Sequence, residues 1–230
     1  VLNSANSEKD SGIAFTLERT YKLYSQISGG AFTDATFLNN HDKNRVMSQL
    51  ANNPDHARMA AAILLTLPGN PFIYYGEEIG MLGVKPDEGL REPMKWTADG
   101  QGDGQTTTWE QAKNNAANSG ADVESQLQNR GSLLEHYRQL ISLRNEVPAL
   151  RDGGIREYSS GNSGIMAFER ITAGKQVLVV HNLTDGTQNI PLHPGTNTVT
   201  YSSILKTLRG EAGLADSMLT LPAYSTIILE

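Results

Sequence analysis

Asn39, Asn40, His41 and Asp42 follow directly on the apolar triplet Thr36, Phe37 and Leu38. One carboxylate, one imidazole and two amides are thus concentrated in four residues, and Asp42 is a candidate general acid or base. Thr36 to Leu38 suit a strand buried on both faces, because β-branched and aromatic side chains fit a covered pleated surface. The polar group then lies at a strand's carboxyl end, the edge on which barrels and open α/β sheets build their sites. A turn rich in Asn and Asp, with His41 bonded to a backbone carbonyl, is the competing reading and stays open at this point. A second apolar run, Phe72 to Tyr75, ends in Gly76, Glu77 and Glu78 and brings more acid to the same edge. Adjacent acids in a loop also read as a solvated face or as charge at a helix start.

The elements around these residues set the frame. Ser11 to Ser28 carries Ile13, Leu17, Tyr21 and Tyr24 at helical spacing, and Gly29 and Gly30 end that helix. Asn53, Pro54 and Asp55 give a helix-start signal, with an apolar face through Met59, Ile63 and Leu67. Strand, helix, strand is the grammar of a parallel crossover unit. Ser132 and Glu135 form a capping box ahead of a helix that ends before Pro148. From Ile155 the pattern turns to short β-runs, at 166–168, 177–180, 218–221 and 224–229, punctuated by Ala173-Gly174, Asp185-Gly186 and Pro194-Gly195. Residues 1–150 therefore read as α/β and 151–230 as a separate all-β module, a sandwich. The stretch 81–130 reads as long irregular chain of the kind used for lids and binding loops. Its Asp99, Gly100, Gly102, Asp103, Gly104 cluster resembles a calcium loop faintly, without the ligand spacing of an EF-hand.

Composition narrows the partners. With 19 Lys and Arg against 25 Asp and Glu, a net charge of -6 and no basic run, the 230 residues carry no footprint for nucleic acid or an anionic membrane. The absence of cysteine excludes disulfides, thiolate catalysis and Cys-rich zinc sites. No apolar run is long enough to span a bilayer. The chain opens VLNSANSEKD, without Met or a leader, and two strands cannot close a (β/α)8 barrel, which takes about 250 residues. A further segment ahead of Val1 is the expectation.

FLNNHD with Lys43, Asn44 and Arg45 resembles the seventh-strand motif of the α-amylase family of glycoside hydrolases, and NPFIYYGEEIGM resembles that family's eighth strand. Arg91, Pro93, Met94 and Trp96 match the Arg-x-Pro-Met-x-Trp pattern of its α-glucosidase and oligo-1,6-glucosidase branches. Residues 123–144 resemble the last barrel helix, and the β module the family's domain C. The resemblance implies the last strands and helices of a (β/α)8 TIM barrel followed by an antiparallel β-sandwich. It implies retaining hydrolysis of α-glucosidic bonds, mainly α-1,4, in starch or maltooligosaccharides. The nucleophile and acid/base, which stand about 5 Å apart in retaining enzymes, have no counterpart motif in this sequence. By resemblance, Asp42 is the third carboxylate, which binds sugar hydroxyls and stabilises the transition state, and His41 and Arg91 bind substrate, with surface salt bridging as the alternative for Arg91. Arg45 is a substrate-side residue that orients the site or ligates chloride, as in chloride-dependent members, with a structural ion pair as the alternative. Glu77, Glu78, Tyr74 and Tyr75 take packing and loop-anchoring roles. No cofactor is expected in this chain, and calcium is left open for the complete enzyme. The expected partners are the N-terminal portion of the same enzyme and an α-glucan. The bacterial extracellular space or envelope is the expected location, with the cytoplasm as the alternative. A non-catalytic amylase-like carbohydrate-binding or scaffold module, and an exo-acting α-glucosidase, are the competing functions.

Overall fold

The computed structural model describes residues 12–100 and 110–230. In chain order the first half contains α1 (Gly12–Ile27), β1 (Ala35–Phe37), α2 (Val46–Gln49), α3 (Pro54–Thr66), β2 (Asn70–Phe72), α4 (Asp87–Leu90), α5 (Val123–Leu127), α6 (Leu133–Glu146) and α7 (Pro148–Asp152). Strands follow: β3 (Gly154–Glu157), β4 (Ile165–Thr172), β5 (Lys175–Asn182), β6 (Gln188–Pro191), β7 (Ile204–Leu208), β8 (Gly213–Ala215), β9 (Met218–Leu221) and β10 (Thr226–Leu229).

The helix starts obey their local chemistry. The Asn53 side chain accepts from the backbone N–H groups of Asp55 and His56 at 2.9 and 3.2 Å, filling donors that the first turn of α3 leaves open. Ser132 Oγ accepts from the Glu135 N–H at 3.1 Å and opens α6 in the same way. Pro148 both ends that helix and sits in the first turn of α7, where a missing N–H costs nothing.

Among the described residues, 12–34, Thr66–Asn70 and Leu143–Glu230 form one compact unit, and Ala35–Leu65 with 71–100 and 110–142 another. α1 packs on β3 and β4, and its Glu18 accepts from the Glu157 N–H at 2.8 Å. In the first unit the order β3-β4-β5-β10-β7 makes a five-stranded sheet and β6-β9-β8 a three-stranded one, with antiparallel pairings throughout. Ile165, Ala167, Leu178, Val180, Ile227 and Leu229 from the larger sheet meet Ile190, Leu219 and Leu221 from the smaller, so alternate residues fill a sandwich core. Buried Arg144 and Arg170 close the carboxyl end of α3. Arg144 donates to the Leu67 and Gly69 carbonyls at 2.8 and 2.6 Å, and Arg170 to Thr66 and, at 2.6 Å, to Gly153.

In the second unit β1 and β2 pair side by side. Two expectations are corrected here. The second strand lies at Asn70–Phe72, so Tyr74 and Tyr75 fall in the turn after it. Nor are the strands covered on both faces: Phe37 is 50% and Phe72 59% exposed. Among the described residues this sheet has two strands only, and the aromatic side chains border an open recess of about 310 Å³ lined by Ala35, Phe37, Asn39, Asn40, Phe72, Ile73 and Tyr74. Among the described residues no helix is long and apolar enough to cross a membrane.

Candidate active site

The segment Asn39–Arg45 leaves the end of β1 with its two ends buried and its middle in solvent. Asn39 and Arg45 are almost fully buried, whereas the side chains of His41 and Asp42 are 62% and 57% exposed. Asn40 turns the chain between them: its Oδ1 accepts from the Asp42 N–H at 2.9 Å, and its carbonyl accepts from the Lys43 N–H at 3.2 Å. The Asn-rich turn expected as a competing reading is present, and it serves to project the other two side chains. His41 Nε2 stands 3.3 Å from Asp42 Oδ2.

Arg91, fifty residues later in sequence, reaches the same point. Its Nε donates to the His41 carbonyl at 3.3 Å and its Nη2 to Asp42 Oδ1 at 3.4 Å and Asp87 Oδ2 at 2.8 Å. Asp87 is held below the ordinary carboxylate range by Lys85, hydrogen-bonded at 3.0 Å, and then by Arg91. Arg91 therefore bridges two carboxylates and stands beside His41 and Asp42.

Arg45 does not join them. Its Nε donates to the Leu90 carbonyl at 3.1 Å and its Nη1 to the Tyr75 carbonyl at 2.6 Å, and its guanidinium lies 4.7 Å from the ring centres of Tyr74 and Tyr75. No carboxylate among the described residues lies within ion-pair distance of it. A side chain 1% exposed and spent on carbonyls cannot touch a sugar in solvent, so the substrate-contact role is corrected to one beneath the site. Glycines make room for it. Gly76 adopts φ +80 and a Cβ there would run into Met81, and a Cβ at Gly83 would meet the Gly89 carbonyl and the Arg45 stem.

The other end is held by Glu77. Its Oε1 accepts from the Tyr137 hydroxyl of α6 at 2.7 Å, and its Oε2 accepts from Asn39 Nδ2. Burial, reinforced by the neighbouring Glu78, outweighs those two bonds and the Arg45 charge and lifts the Glu77 carboxyl to about 7. Burial raises Glu78 as well. Both acids are expected to pack and to anchor the loop. Nothing in the dipeptide separates them, since Tyr137, which takes up Glu77, lies sixty residues away.

Glu92 was missed by sequence reasoning. Buried beside Arg91, it accepts from the backbone N–H groups of Lys113, Asn114 and Asn115 and from both Asn side chains, at 2.7 to 3.2 Å. The following part of the irregular stretch is thereby tied to the site loop. The calcium-like run lies mostly outside the described residues, since 101–109 are not among them. Among the described residues no three His, Asp or Glu side chains converge to hold a metal ion.

The strand end carrying His41 and Asp42 has Arg91, at the end of α4, beside it, and an antiparallel sandwich follows in the chain. Residues 4–153 match the α-amylase catalytic domain, and residues 165–228 the α-amylase SusG C-terminal domain. The chain belongs to the α-amylase family. It is 35% identical over its whole length to α-amylase 3 of Dictyoglomus thermophilum, of which it spans 45%. Over 70% of its length it is 36% identical to α-amylase SusG of Bacteroides thetaiotaomicron, of which the match spans 24%. The solved α-amylase from H. orenii superposes on the whole chain with a TM-score of 0.77 and 37% identity, the match covering 47% of that structure. The chain thus spans about half, or less, of the proteins it matches.

Proposed function

We propose that this chain is the carboxyl part of a retaining α-glucan hydrolase, cleaving mainly α-1,4-glucosidic bonds in starch or maltooligosaccharides. The observation that carries the reading is the exposed His41–Asp42 pair, presented at a strand end from a segment anchored at both ends. Asp42 accepts hydrogen bonds from sugar hydroxyls next to the scissile bond, and His41 donates to one of them. As the ring flattens towards an oxocarbenium-like transition state, contacts to these hydroxyls shorten and the fixed carboxylate faces growing positive charge. Both effects favour the transition state over the bound ground state, which raises kcat. Arg91, shared between Asp42 and Asp87, orients the carboxylate and lies at the rim for the leaving sugar.

The nucleophile and the acid/base belong to the remaining part of the barrel. The open face of β1 and β2 supports that assignment, because covering side chains such as Phe37 and Phe72 is worth about 1.5–3 kcal/mol each. Arg45 Nη2, buried without a hydrogen-bond partner among the described residues, is the nitrogen that would hold chloride in a chloride-dependent enzyme.

The test has two arms. The chain alone, and the chain combined with the segment that supplies the other strands, are assayed on starch and on a nitrophenyl maltooligosaccharide. Activity is expected only in the combination, and hydrolysis by the isolated chain overturns the division of labour. In the complete protein Asp42→Asn is expected to lower kcat by a factor of about 10³ or more. Retained glucan binding with no turnover in the unsubstituted protein would instead identify a carbohydrate-binding module.

A further inference from the structure

We infer that Glu77 is a positioning residue of this active site: it sets the direction in which Asp42 and His41 leave the strand by holding Asn39 against helix α6. The inference rests on Asp42 being the transition-state partner. Its geometry is independent of that role. The Asn39–Arg45 segment has two fixed ends, Arg45 locked onto the Tyr75 and Leu90 carbonyls and Asn39 locked onto Glu77. Between them every described polar contact of the segment is local or made by the rim residues Arg91 and Lys85 and the Gln49 side chain. The Asn40 side chain that orients the Asp42 N–H is one residue from the Glu77 anchor.

Glu77 in turn is immobilised. Its second oxygen takes the Tyr137 hydroxyl from a helix that is otherwise packed by Leu133, Leu140 and Leu143, and Tyr137 and Glu77 are only 2% and 3% exposed. The charged or titratable groups facing it are Tyr137 from α6, Glu78 from its own loop and Arg45 from the site segment. A carboxylate is a costly group to bury where an amide or an apolar side chain would pack. What it supplies here is two acceptors, aimed at two donors on different elements. Its burial also moves its titration to the neutral range, so the anchor changes from pure acceptor to partial donor as pH falls.

The test uses the complete enzyme, after wild-type hydrolysis and the loss of turnover in Asp42→Asn have been recorded. Retained turnover in Asp42→Asn refutes the role of Asp42, whatever Glu77 does. Glu77→Gln keeps the shape but sets its amide nitrogen against one of the two donors. It is expected to lower kcat about 10- to 100-fold with KM changed less than about twofold, the penalty of a small misplacement of a reacting group. The denaturation midpoint at pH 8 is expected not to fall, which separates positioning from a general loss of fold. Asn39→Asp combined with Glu77→Gln exchanges donor and acceptor across the contact, and is expected to recover most of the lost kcat and to move the acidic limb of the pH profile. Should Glu77→Gln not fold, Tyr137→Phe reads the same anchor, with kcat falling about tenfold at constant KM. An unchanged kcat, a kcat lost only in step with the folded fraction, or no recovery in the exchanged pair overturns the inference.

Discussion

Glu77 makes a prediction about stability that can be worked out in sign and size. Its carboxyl titrates at about 7 in the folded protein against an ordinary value of 4.5, with burial as the main cause. Between those two pH values the native state holds a proton that the unfolded chain has released, so stability falls as pH rises across the window. The fall is about 3 kcal/mol at 1.36 kcal/mol for each pH unit, and it is complete once pH exceeds the folded value. Glu77→Gln cannot titrate, so it lacks this slope. Urea denaturation of the complete protein and of Glu77→Gln, followed from pH 4.5 to 8, isolates it, because every other titrating group is common to both. The difference in unfolding free energy is expected to move in favour of the variant by about 3 kcal/mol between the two limits, somewhat more if release of the charge also relaxes Glu78. Two parallel curves would refute the claim that burial controls this carboxyl, and a difference of opposite sign would show that its hydrogen bonds outweigh its desolvation.

Other positions test the remaining parts of the structure. His181 is completely buried between Thr66 and Thr226, and burial holds it down to about 3. Its folded value is depressed, so its contribution has the opposite slope: about 5 kcal/mol of stability is lost as pH falls from 6.5 to 3, and acid denaturation of His181→Asn should show that slope removed. Arg45→Met leaves the Leu90 and Tyr75 carbonyls unbonded and removes the cation from the two tyrosine rings, and is expected to cost about 2–4 kcal/mol in chemical denaturation. Gly83→Ala places a methyl group against the Gly89 carbonyl and the Arg45 stem, for about 1–3 kcal/mol in the same measurement.

Much of this fold was legible because its signals are local. Asn53 before Pro54, and Ser132 three residues before Glu135, cap the helices that the sequence places there, since a capping side chain reaches only its own first turn. The runs at 177–180 and 218–221 are strands for the same reason, since a β-branched run and an alternation are both properties of adjacent residues. The sequence was less informative where a neighbour decides the outcome. β6, β7 and β8 are three to five residues long, carry polar residues such as Gln188 and Lys206, and are strands because β9 and β10 offer them edges. Phe37 reads as core and is half exposed, because core burial needs a covering strand as well as an apolar side chain. In the site, the resemblance pointed to His41, Asp42 and Arg91, which the fold does bring together across fifty residues. Arg45 is buried away from the exposed His41–Asp42 pair, and Glu77, expected to pack and to anchor the loop, bonds Asn39 and Tyr137.

The placement of Arg45 and Glu77 has one physical cause. In the proposed function the segment from Asn39 to Arg45 exposes a carboxylate and an imidazole to a sugar, and an exposed loop has few contacts of its own to hold it to the tolerance that transition-state binding demands. The contacts therefore sit at its ends, where Asn39 and Arg45 are buried and each uses a charged partner or a charged side chain to reach fixed neighbours. Chemistry and anchoring are consequently carried by different residues a few positions apart, and substitution should separate them. Asp42→Asn removes a side chain that is 57% exposed with only weak rim contacts, so its effect on stability should stay within about 0.5 kcal/mol while turnover collapses. Arg45→Met should do the reverse first, losing stability, and should lose turnover only because the loop it fixes no longer points Asp42 at the substrate. Measuring both quantities on both variants checks the division, and equal stability losses in the two would show that the exposed pair is part of the scaffold after all.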